Sequence, residues 1–295
     1  MGEKRMENFA LEQVRPEDRK GWISLAFVQM GMIICVPSLL LGGLLSLGMP
    51  LWKAIASGTA GYLLTVLLSF PLGMQGADLG IPSVRIAAST FGRKGARFLI
   101  GTVMLVSMVG WFGINCNVCG ESFVNLINHA FGVQIPVPAA SIFWGIVMLV
   151  SAVFGMNALR RLDACSLPLL AAIMIGGTVM AFARYGTGGL YAPPEDTMTF
   201  VQGVGLSFSF TAAAAVTCAD ITRFQKNRKE TVKSVFWGVM PAGIFTLCLG
   251  VLITKATGDY DITTVLASVG LPIIDGDPAG RSVPELQHSS FWISF

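Results

Sequence analysis

The charged residues of this chain cluster in short islands, and the stretches between them are about 20 residues long and nearly free of charge. An apolar stretch of that length, wound as an α-helix, matches the thickness of the hydrocarbon core of a bilayer. Of the 295 residues, 13% are charged and 53% are hydrophobic, whereas about a quarter of the residues of soluble proteins are charged. The pattern therefore predicts an all-α polytopic membrane protein and excludes a soluble fold.

Apolar runs between the charged islands and the Pro- or Gly-rich breaks predict seven complete membrane spans and the beginning of an eighth. The seven spans lie at residues 22–47, 52–77, 98–127, 138–159, 165–185, 201–220 and 234–256, and the eighth run covers residues 262–274. Residues 1–20 carry ten charges and no apolar segment. We therefore expect them to form an arm, rather than a cleavable signal peptide, before a membrane domain of residues 21–274.

The basic residues are distributed unevenly between the two ends of the predicted spans. Sixteen Lys and Arg residues lie in the N-terminal arm and in every second connection, whereas the alternate connections hold three, Lys53, Arg184 and Lys255. Because cytoplasmic loops are enriched in Lys and Arg, we expect a cytoplasmic N-terminus in a plasma membrane, which in a bacterium is the inner membrane. The net charge of +3 reflects this sidedness, so we expect the lipid bilayer and not nucleic acid as a partner.

The sequence changes character after Ile274. Residues 275–295 are rich in Asp, Gly, Pro and Ser and cannot span a bilayer. We interpret this segment as an aberrant polar tail, such as an altered reading frame would produce at the end of a truncated gene.

The first and the sixth span contain residues that are unusual in the middle of a membrane helix. The first holds Gly31, the segment 35–38 and the glycine pair 42–43, and Pro37 removes a backbone donor from the helix. Residues 203–211 of the sixth span combine glycines with Ser, Thr and Phe. Two broken helices, one opening each half of a five-plus-five inverted repeat, are typical of the substrate and ion site of a secondary transporter. The alternative is that these residues mark kinks or points of close helix packing.

The third span carries the sequence Gly110-Trp111-Phe112-Gly113 about halfway along its length. Tryptophan favours the membrane interface, so a tryptophan at mid-depth between glycines predicts an aromatic face that stacks on a planar ligand. Asn115 follows one helical turn later on the same face and can donate and accept hydrogen bonds. The alternative is that Trp111 is buried in a helix interface that Asn115 helps to hold together.

The sequence holds no catalytic motif and no pattern of metal ligands. A redox or metal role for Cys116 and Cys119 would need a second cysteine pair or nearby histidines, and the chain has two histidines in all. No nucleophile or acid–base pair converges at one depth, so we predict neither an enzyme nor a metal site. We interpret Asp220, with Arg223 beside it, as a structural clasp at a helix end.

Three sequence elements occur in order along the predicted helices. They are residues 79–95, which contain Leu-Gly-Ile-Pro-Ser and Phe-Gly-Arg-Lys-Gly, then Gly-Trp-Phe-Gly at 110–113, and then Cys-Ala-Asp-Ile-Thr-Arg-Phe at 218–224. With these elements in this order and spacing, residues 19–271 resemble the nucleobase:cation symporters of the cytosine permease type.

The resemblance implies a leucine-transporter-like fold of five plus five helices in an inverted repeat, of which this chain would hold the first repeat and two helices of the second. It also implies secondary active transport of a nucleobase or a related flat heterocycle into the cell by alternating access. Transport would be coupled to a sodium ion or a proton, and no other cofactor is implied.

The resemblance also assigns roles to individual residues. Trp111 would stack on the base beside Gly110. The sixth span would supply a second ring, from Phe208 or Phe210, and backbone hydrogen bonds. The five residues concerned are consecutive: Ser207, Phe208, Ser209, Phe210 and Thr211. Carbonyl groups at Gly31 and Cys35 would form part of a cation site.

Two features of the sequence bear on the substrate and on the activity. Met108, one turn before Trp111, cannot hydrogen-bond the edge of a pyrimidine, so cytosine, a purine and a hydroxymethylpyrimidine are alternatives for the substrate. The eighth helix, which would complete both sites, is cut off at residue 274. The alternative to transport is therefore an inactive truncated membrane fragment, or an interaction module without transport activity.

Overall fold

The computed structural model describes residues 13–153, 156–194 and 198–258, and these ranges are almost entirely helical. Within them, β-structure is limited to an isolated bridge between Lys20 and Gln225. Residues 1–12 of the predicted arm, the eighth apolar run at 262–274 and the polar tail at 275–295 lie outside the described residues.

Ten α-helices occur in the described ranges. They are α1 (Trp22–Ile33), α2 (Val36–Gly48), α3 (Leu51–Leu79), α4 (Ser83–Gly95), α5 (Gly101–Phe131), α6 (Val137–Val153), α7 (Met156–Tyr185), α8 (Phe200–Val216), α9 (Cys218–Thr222) and α10 (Arg228–Thr257). A π-helical turn, Ala96–Ile100, joins α4 to α5. Short 3-10 helices precede α1 and follow α7, at Pro16–Asp18 and Gly188–Tyr191.

Each of the seven predicted spans contains a helix of the structure. By length and composition, α3, the continuous unit of α4 and α5, and α10 can each cross a membrane, and α1 with α2 can do so as one bent span. The other three spans correspond to shorter apolar segments in α6, α7 and α8, namely Val137–Val150, Leu170–Tyr185 and Phe200–Val216.

The predicted break in the first span is confirmed, because the chain bends by 57° between α1 and α2. Pro37 lies in the first turn of α2, where the N–H that proline lacks has no helical acceptor in any case. The expected interruption at residues 42–43 is wrong, since both glycines are helical. Gly42 instead allows close packing: a Cβ there would lie 2.5 Å from the Leu247 carbonyl oxygen of α10.

The predicted break within residues 203–211 is wrong, because α8 is a continuous helix over this segment. Gly203 serves close packing rather than unwinding. A Cβ on it would lie 2.5 Å from Met49 Cε and 2.7 Å from Ser57 Oγ. The sixth span is interrupted later, at Thr217, where α8 gives way to α9.

The core lies where α10 packs against α2 and α3. α10 also contacts α1 and α7, and α3 also contacts α8 and α9. Small residues let these helices approach: a Cβ on Gly58 would lie 2.5 Å from a Leu247 methyl group, and a Cβ on Gly243 would lie 2.6 Å from the Tyr62 ring. Tyr62 and Leu247 are both fully buried. Within a bilayer, helices associate through such van der Waals packing. The contacts of α10 with α2 and α3 therefore determine where the helices that pack against these three lie.

The outer surface of α5 is strongly apolar and exposed. This helix packs mainly against α6, and Leu105, Val106 and Val109 each expose 60% or more of their surface. Exposed apolar side chains of this kind are suited to contact with lipid chains or with another apolar helix.

Replacing Gly250 with alanine will lower the thermal stability of the protein. The new Cβ would collide with the Leu39 carbonyl oxygen, a backbone atom that cannot move without displacing α2. We expect a loss of about 1–3 kcal/mol in the free energy of unfolding, measured as a lower unfolding midpoint in detergent.

The matched control is Gly205→Ala on α8, because a Cβ at Gly205 would meet nothing within 4 Å. Alanine is a better helix former than glycine, so this variant should be unchanged or more stable by roughly 0.5–1 kcal/mol. Equal midpoints for Gly250→Ala and Gly205→Ala would contradict the close contact between α2 and α10.

Candidate functional site

Two aromatic rings meet between α5 and α8. The ring centroids of Trp111 and Phe210 lie 5.2 Å apart, and their planes are inclined by 69°, so the rings meet edge to face. Both side chains are half-buried. The structure therefore brings the tryptophan of the third span into contact with an aromatic residue of the sixth.

The two phenylalanines considered for the second ring have different neighbours. Phe210 contacts Trp111, whereas the backbone nitrogen of Phe208 lies 2.9 Å from the position that a Cβ on Gly61 of α3 would take. Residues two apart on a helix point in nearly opposite directions, since each residue turns the helix by about 100°. The geometry therefore selects Phe210, rather than Phe208, as the ring beside Trp111.

Gly110 and Gly113 flank Trp111 on an open part of α5. Both are exposed, and a Cβ added to either would meet no atom within 4 Å in the described part of the chain. Neither glycine is therefore required for helix packing among these residues. Their backbone is accessible beside the indole ring.

Asn115 is held in place by its own helix. Its side-chain amide donates a hydrogen bond of 2.8 Å to the Trp111 carbonyl oxygen one turn earlier. The bond lies within α5 rather than between helices, and it uses one of the two amide hydrogens. The side-chain oxygen remains as an acceptor one turn beyond the ring.

The buried hydroxyl groups of α8 face α3. Ser207 and Thr211 are almost completely buried, whereas Ser209 is exposed. Thr211 Oγ1 lies 2.5 Å from Thr65 Oγ1, a hydrogen bond that joins the two helices. Ser207 Cβ would lie 2.5 Å from a Cβ on Gly61. These two residues therefore hold α8 against α3.

Residues 207–211 do not form a single surface. On a continuous helix, five consecutive residues point around the whole circumference, and their backbone groups bond within the helix. The expectation that this segment is unwound and offers backbone hydrogen bonds is therefore wrong. Ser207 Oγ is buried and has no hydrogen-bond partner among the described residues.

The sequence interpretation missed Gly61 and Thr65 of α3. The signal that could have revealed them is a row of small residues at a spacing of four along the second span: Ser57, Gly61, Thr65, Ser69 and Gly73. Such a row predicts a face on which another helix packs closely. The row alone does not say which helix packs there.

The break between α1 and α2 changes the backbone hydrogen bonding. The N–H of Cys35 donates to the Ile33 carbonyl at 3.0 Å instead of to the Gly31 carbonyl that a continuous helix would use. The Cys35 carbonyl accepts the N–H of Ser38 at 3.1 Å. Of the two residues predicted for a cation site, Gly31 is thus the one whose carbonyl has lost its usual helical donor.

Hydroxyl groups from three helices gather beside this break. Ser38 Oγ of α2 donates to the Ile33 carbonyl at 2.7 Å. The Tyr62 hydroxyl of α3 lies beside the hydroxyls of Ser38 and of Thr246 on α10, but it is buried and forms no hydrogen bond with a described residue. Tyr62 and Thr246 were not identified from the sequence, because their contribution depends on helices that are distant in the chain. α2 also contacts α5 and α8, so the bent span runs beside both helices of the ring pair.

The predicted clasp at Asp220 joins the sixth span to α4. The Asp220 carboxylate accepts hydrogen bonds from Ser83 Oγ at 2.8 Å and from the Ser83 backbone N–H at 3.2 Å. Arg223 Nε donates to the Asp220 carbonyl oxygen at 3.1 Å. Partial burial lowers the pKa of the Arg223 guanidinium from its ordinary value, while the nearby Asp220 carboxylate raises it. Through its two hydrogen bonds with Ser83, the Asp220 carboxylate therefore caps the N-terminal end of α4.

The chain is similar to known proteins in sequence and in fold. Residues 13–272 match the family described as permease for cytosine/purines, uracil, thiamine, allantoin. The chain is 28% identical over 268 residues to the cytosine permease of Escherichia coli (strain K12), an overlap of 90% of this chain and 62% of that protein. It is 26% identical over 276 residues to the purine-uracil permease NCS1 of Arabidopsis thaliana, an overlap of 85% of this chain and 45% of that protein.

Two solved structures share the fold. One is Mhp1, a nucleobase-cation-symport-1 family transporter, in a closed conformation with bromovinylhydantoin bound. The TM-score between the two structures is 0.77 and the sequence identity is 19%, and the match covers 89% of this chain and 61% of that one. The other is the inward facing conformation of Mhp1, with a TM-score of 0.79 at 20% identity. This match covers 92% of this chain and 62% of that one.

These similarities confirm the predicted fold class, a multi-pass all-α membrane protein of the leucine-transporter-like type. The chain spans 62% of the length of the E. coli permease that it matches. The helices α1 to α7 correspond to the predicted first repeat, and α8 to α10 to two helices of the second.

Removing the hydrogen bond between Thr65 and Thr211 will weaken the contact between α3 and α8. The variants Thr65→Val and Thr211→Val, alone and together, measure the coupling of the two hydroxyls through the free energy of unfolding. We expect a coupling of about 0.6 kcal/mol, with about 1.7 kcal/mol as the upper end for such bonds in membranes. The control is Thr178→Val, since the Thr178 hydroxyl donates to the Met174 carbonyl of its own helix. Strictly additive effects at Thr65 and Thr211 would contradict the bond.

Proposed function

This chain belongs to the family of permeases for cytosine/purines, uracil, thiamine and allantoin, and we propose that its residues bind a flat, nucleobase-like heterocycle in a secondary transporter. The family consists of transporters, so the chain belongs to a class of carriers and not of enzymes. The proposed activity is uptake of the heterocycle into the cell by alternating access, coupled to a cation.

The observation that carries this proposal is the contact between Trp111 and Phe210. The two rings come from different helices and meet edge to face at 5.2 Å. A flat heterocycle offers a π face that stacks on an indole, and base–aromatic stacking contributes about 1–3 kcal/mol per base. We infer that the base stacks on Trp111 and that the ring of Phe210 limits the space beside it.

Polar recognition of the base would come from groups around the ring pair. The Asn115 side-chain oxygen is an acceptor one turn beyond Trp111, and the exposed backbone at Gly110 lets a ligand approach α5 closely. Met108 adds an apolar, half-open surface, with 41% of its area exposed. The relatives are permeases of cytosine and of purines and uracil, so cytosine, a purine and a hydroxymethylpyrimidine are the substrates to test first.

The coupling cation is proposed to bind at the break in the first span. Sodium ions bind oxygen ligands, and the Gly31 carbonyl lies outside the regular helical ladder. The hydroxyl groups of Ser38, Tyr62 and Thr246 gather beside the same break. The proposed ion is sodium or a proton, and the second proposed carbonyl is that of Cys35, which precedes α2 on the other side of the break.

The proposed orientation follows from the basic residues. Sixteen of them lie at one end of the spans and three at the other, which favours a cytoplasmic N-terminus in a plasma membrane. With that orientation, Asp220 and the connection between α9 and α10 lie at the cytoplasmic end of the molecule.

Replacing Trp111 with alanine will weaken substrate binding without preventing membrane insertion. Loss of stacking predicts a dissociation constant roughly 5- to 150-fold higher, from about 1–3 kcal/mol per base. The measurement is equilibrium binding of radiolabelled cytosine, adenine, uracil and hydroxymethylpyrimidine to the purified chain. Trp237→Ala on α10, an exposed tryptophan, is the matched control and should leave binding unchanged.

A second pair of variants distinguishes the ring contact from general damage to α8. Phe210→Ala should weaken binding of the same bases, whereas Phe208→Ala, which removes an equal ring from the opposite side of α8, should have a smaller effect. Unchanged affinity in both Trp111→Ala and Phe210→Ala would remove the stacking role.

Uptake into cells that lack their own nucleobase carriers tests transport and coupling. The unchanged chain is compared with a chimera in which residues 1–258 continue into the C-terminal part of the E. coli cytosine permease. We expect base uptake that falls at least tenfold either when choline replaces sodium or when an uncoupler removes the proton gradient. Uptake that is insensitive to both treatments would contradict cation symport. Binding without uptake by either chain would favour the non-transporting module.

A further inference from the structure

A cavity of about 540 Å³ lies away from the ring pair, at the end of the helices that the basic residues place in the cytoplasm. Three segments of the chain form its walls: the arm before α1, the C-terminal end of α3, and the turn that leads into α10. The lining residues are Arg19, Ala77, Asp78, Lys226, Asn227, Arg228 and Lys229.

The lining of this cavity is strongly basic. It holds four positively charged side chains and one carboxylate, a formal excess of three positive charges. The carboxylate, Asp78, is already paired, because Arg228 donates to it from Nε at 2.7 Å and from Nη2 at 2.6 Å. Lys226 and Lys229 are exposed. The unpaired charge of the cavity therefore favours an anionic ligand.

The backbone adds to this preference. α10 begins at Arg228 and runs for 30 residues, with Asn227 as its N-cap. The first N–H groups of a long helix lack acceptors within the helix, and its dipole places partial positive charge at this end. Asn227 Oδ1 accepts one of these N–H groups, that of Glu230, at 3.0 Å, and a helix end beside basic side chains is suited to bind a phosphate group.

Arg19 contributes a positioned positive charge to the cavity. Its Nη1 donates to the Ala77 carbonyl at 2.9 Å, which fixes the guanidinium in the wall of the cavity. Its Nε is buried and has no hydrogen-bond partner among the described residues. The Arg19 guanidinium is therefore a fixed positive charge in the wall of the cavity, and an anion there would be attracted to it.

We propose that this cavity binds a phosphate-bearing anion. The phosphate can come from the headgroup of an anionic phospholipid of the surrounding leaflet or from free phosphate in the cytoplasm. Basic pockets at the cytoplasmic ends of membrane helices suit such headgroups. Bound there, the anion connects the N-terminal arm to α3 of the first repeat and to α10 of the second.

The test compares two double variants of the full chain. Lys226→Gln with Lys229→Gln removes two charges from the cavity. Lys94→Gln with Lys233→Gln removes two exposed charges that the sequence places on the same membrane face but outside the cavity. The purified proteins are placed in nanodiscs of phosphatidylcholine with increasing phosphatidylglycerol, and bound anionic lipid is measured by native mass spectrometry. Inorganic phosphate is titrated against the same proteins in pure phosphatidylcholine, with the unfolding midpoint as the readout.

We expect the cavity variant to bind the anion about 30-fold more weakly, because each lysine near an anionic surface contributes about a factor of five. The control variant should stay within about twofold of the unchanged protein. A loss seen with phosphatidylglycerol identifies a lipid headgroup, and a loss seen with inorganic phosphate identifies a free anion. Equal binding by the cavity variant and the unchanged protein, or equal losses in both variants, would overturn the site. Equal unfolding midpoints in phosphatidylcholine alone verify that the variants are folded.

Discussion

The close approach of α10 to α2 and α3 is the contact on which the rest of the structure depends. Between α2 and α10, backbone atoms meet at Gly42 and Gly250. Between α3 and α10, side chains of the facing helix fill the space at Gly58 and Gly243. Larger residues at these four positions would keep both pairs of helices apart. Without a hydrophobic force between helices in lipid, such contacts supply the association energy. The contacts with α10 determine the position of α3, and α8 packs against α3.

The rotation of α8 about its axis decides what the candidate site contains. Gly203 packs on Met49 and Ser57, and Thr211 bonds to Thr65. These contacts turn the small and hydroxyl-bearing face of α8 towards α3, and Phe210, which packs against the core beside that face, meets Trp111 of α5. The contact between Trp111 and Phe210 is thus a consequence of helix packing elsewhere.

The sequence predicted those features that depend on neighbouring residues. Long uncharged runs located the spans, and Pro37 indicated the break in the first one. It could not predict features set by distant helices. Glycines unwind a helix or let another approach, and at Gly203 only the contact with Met49 decides between the two. The choice between Phe208 and Phe210 likewise depends on a distant helix, because the ring contact with Trp111 of α5 separates them.

The central claim is that the indole of Trp111 forms part of the ligand site. A variant in which the other five tryptophans are replaced by phenylalanine reports on this ring alone through its fluorescence. Titration with cytosine or adenine should quench the emission saturably, with the same dissociation constant as direct binding of the radiolabelled base. Binding of the base with no change in Trp111 emission would contradict the claim.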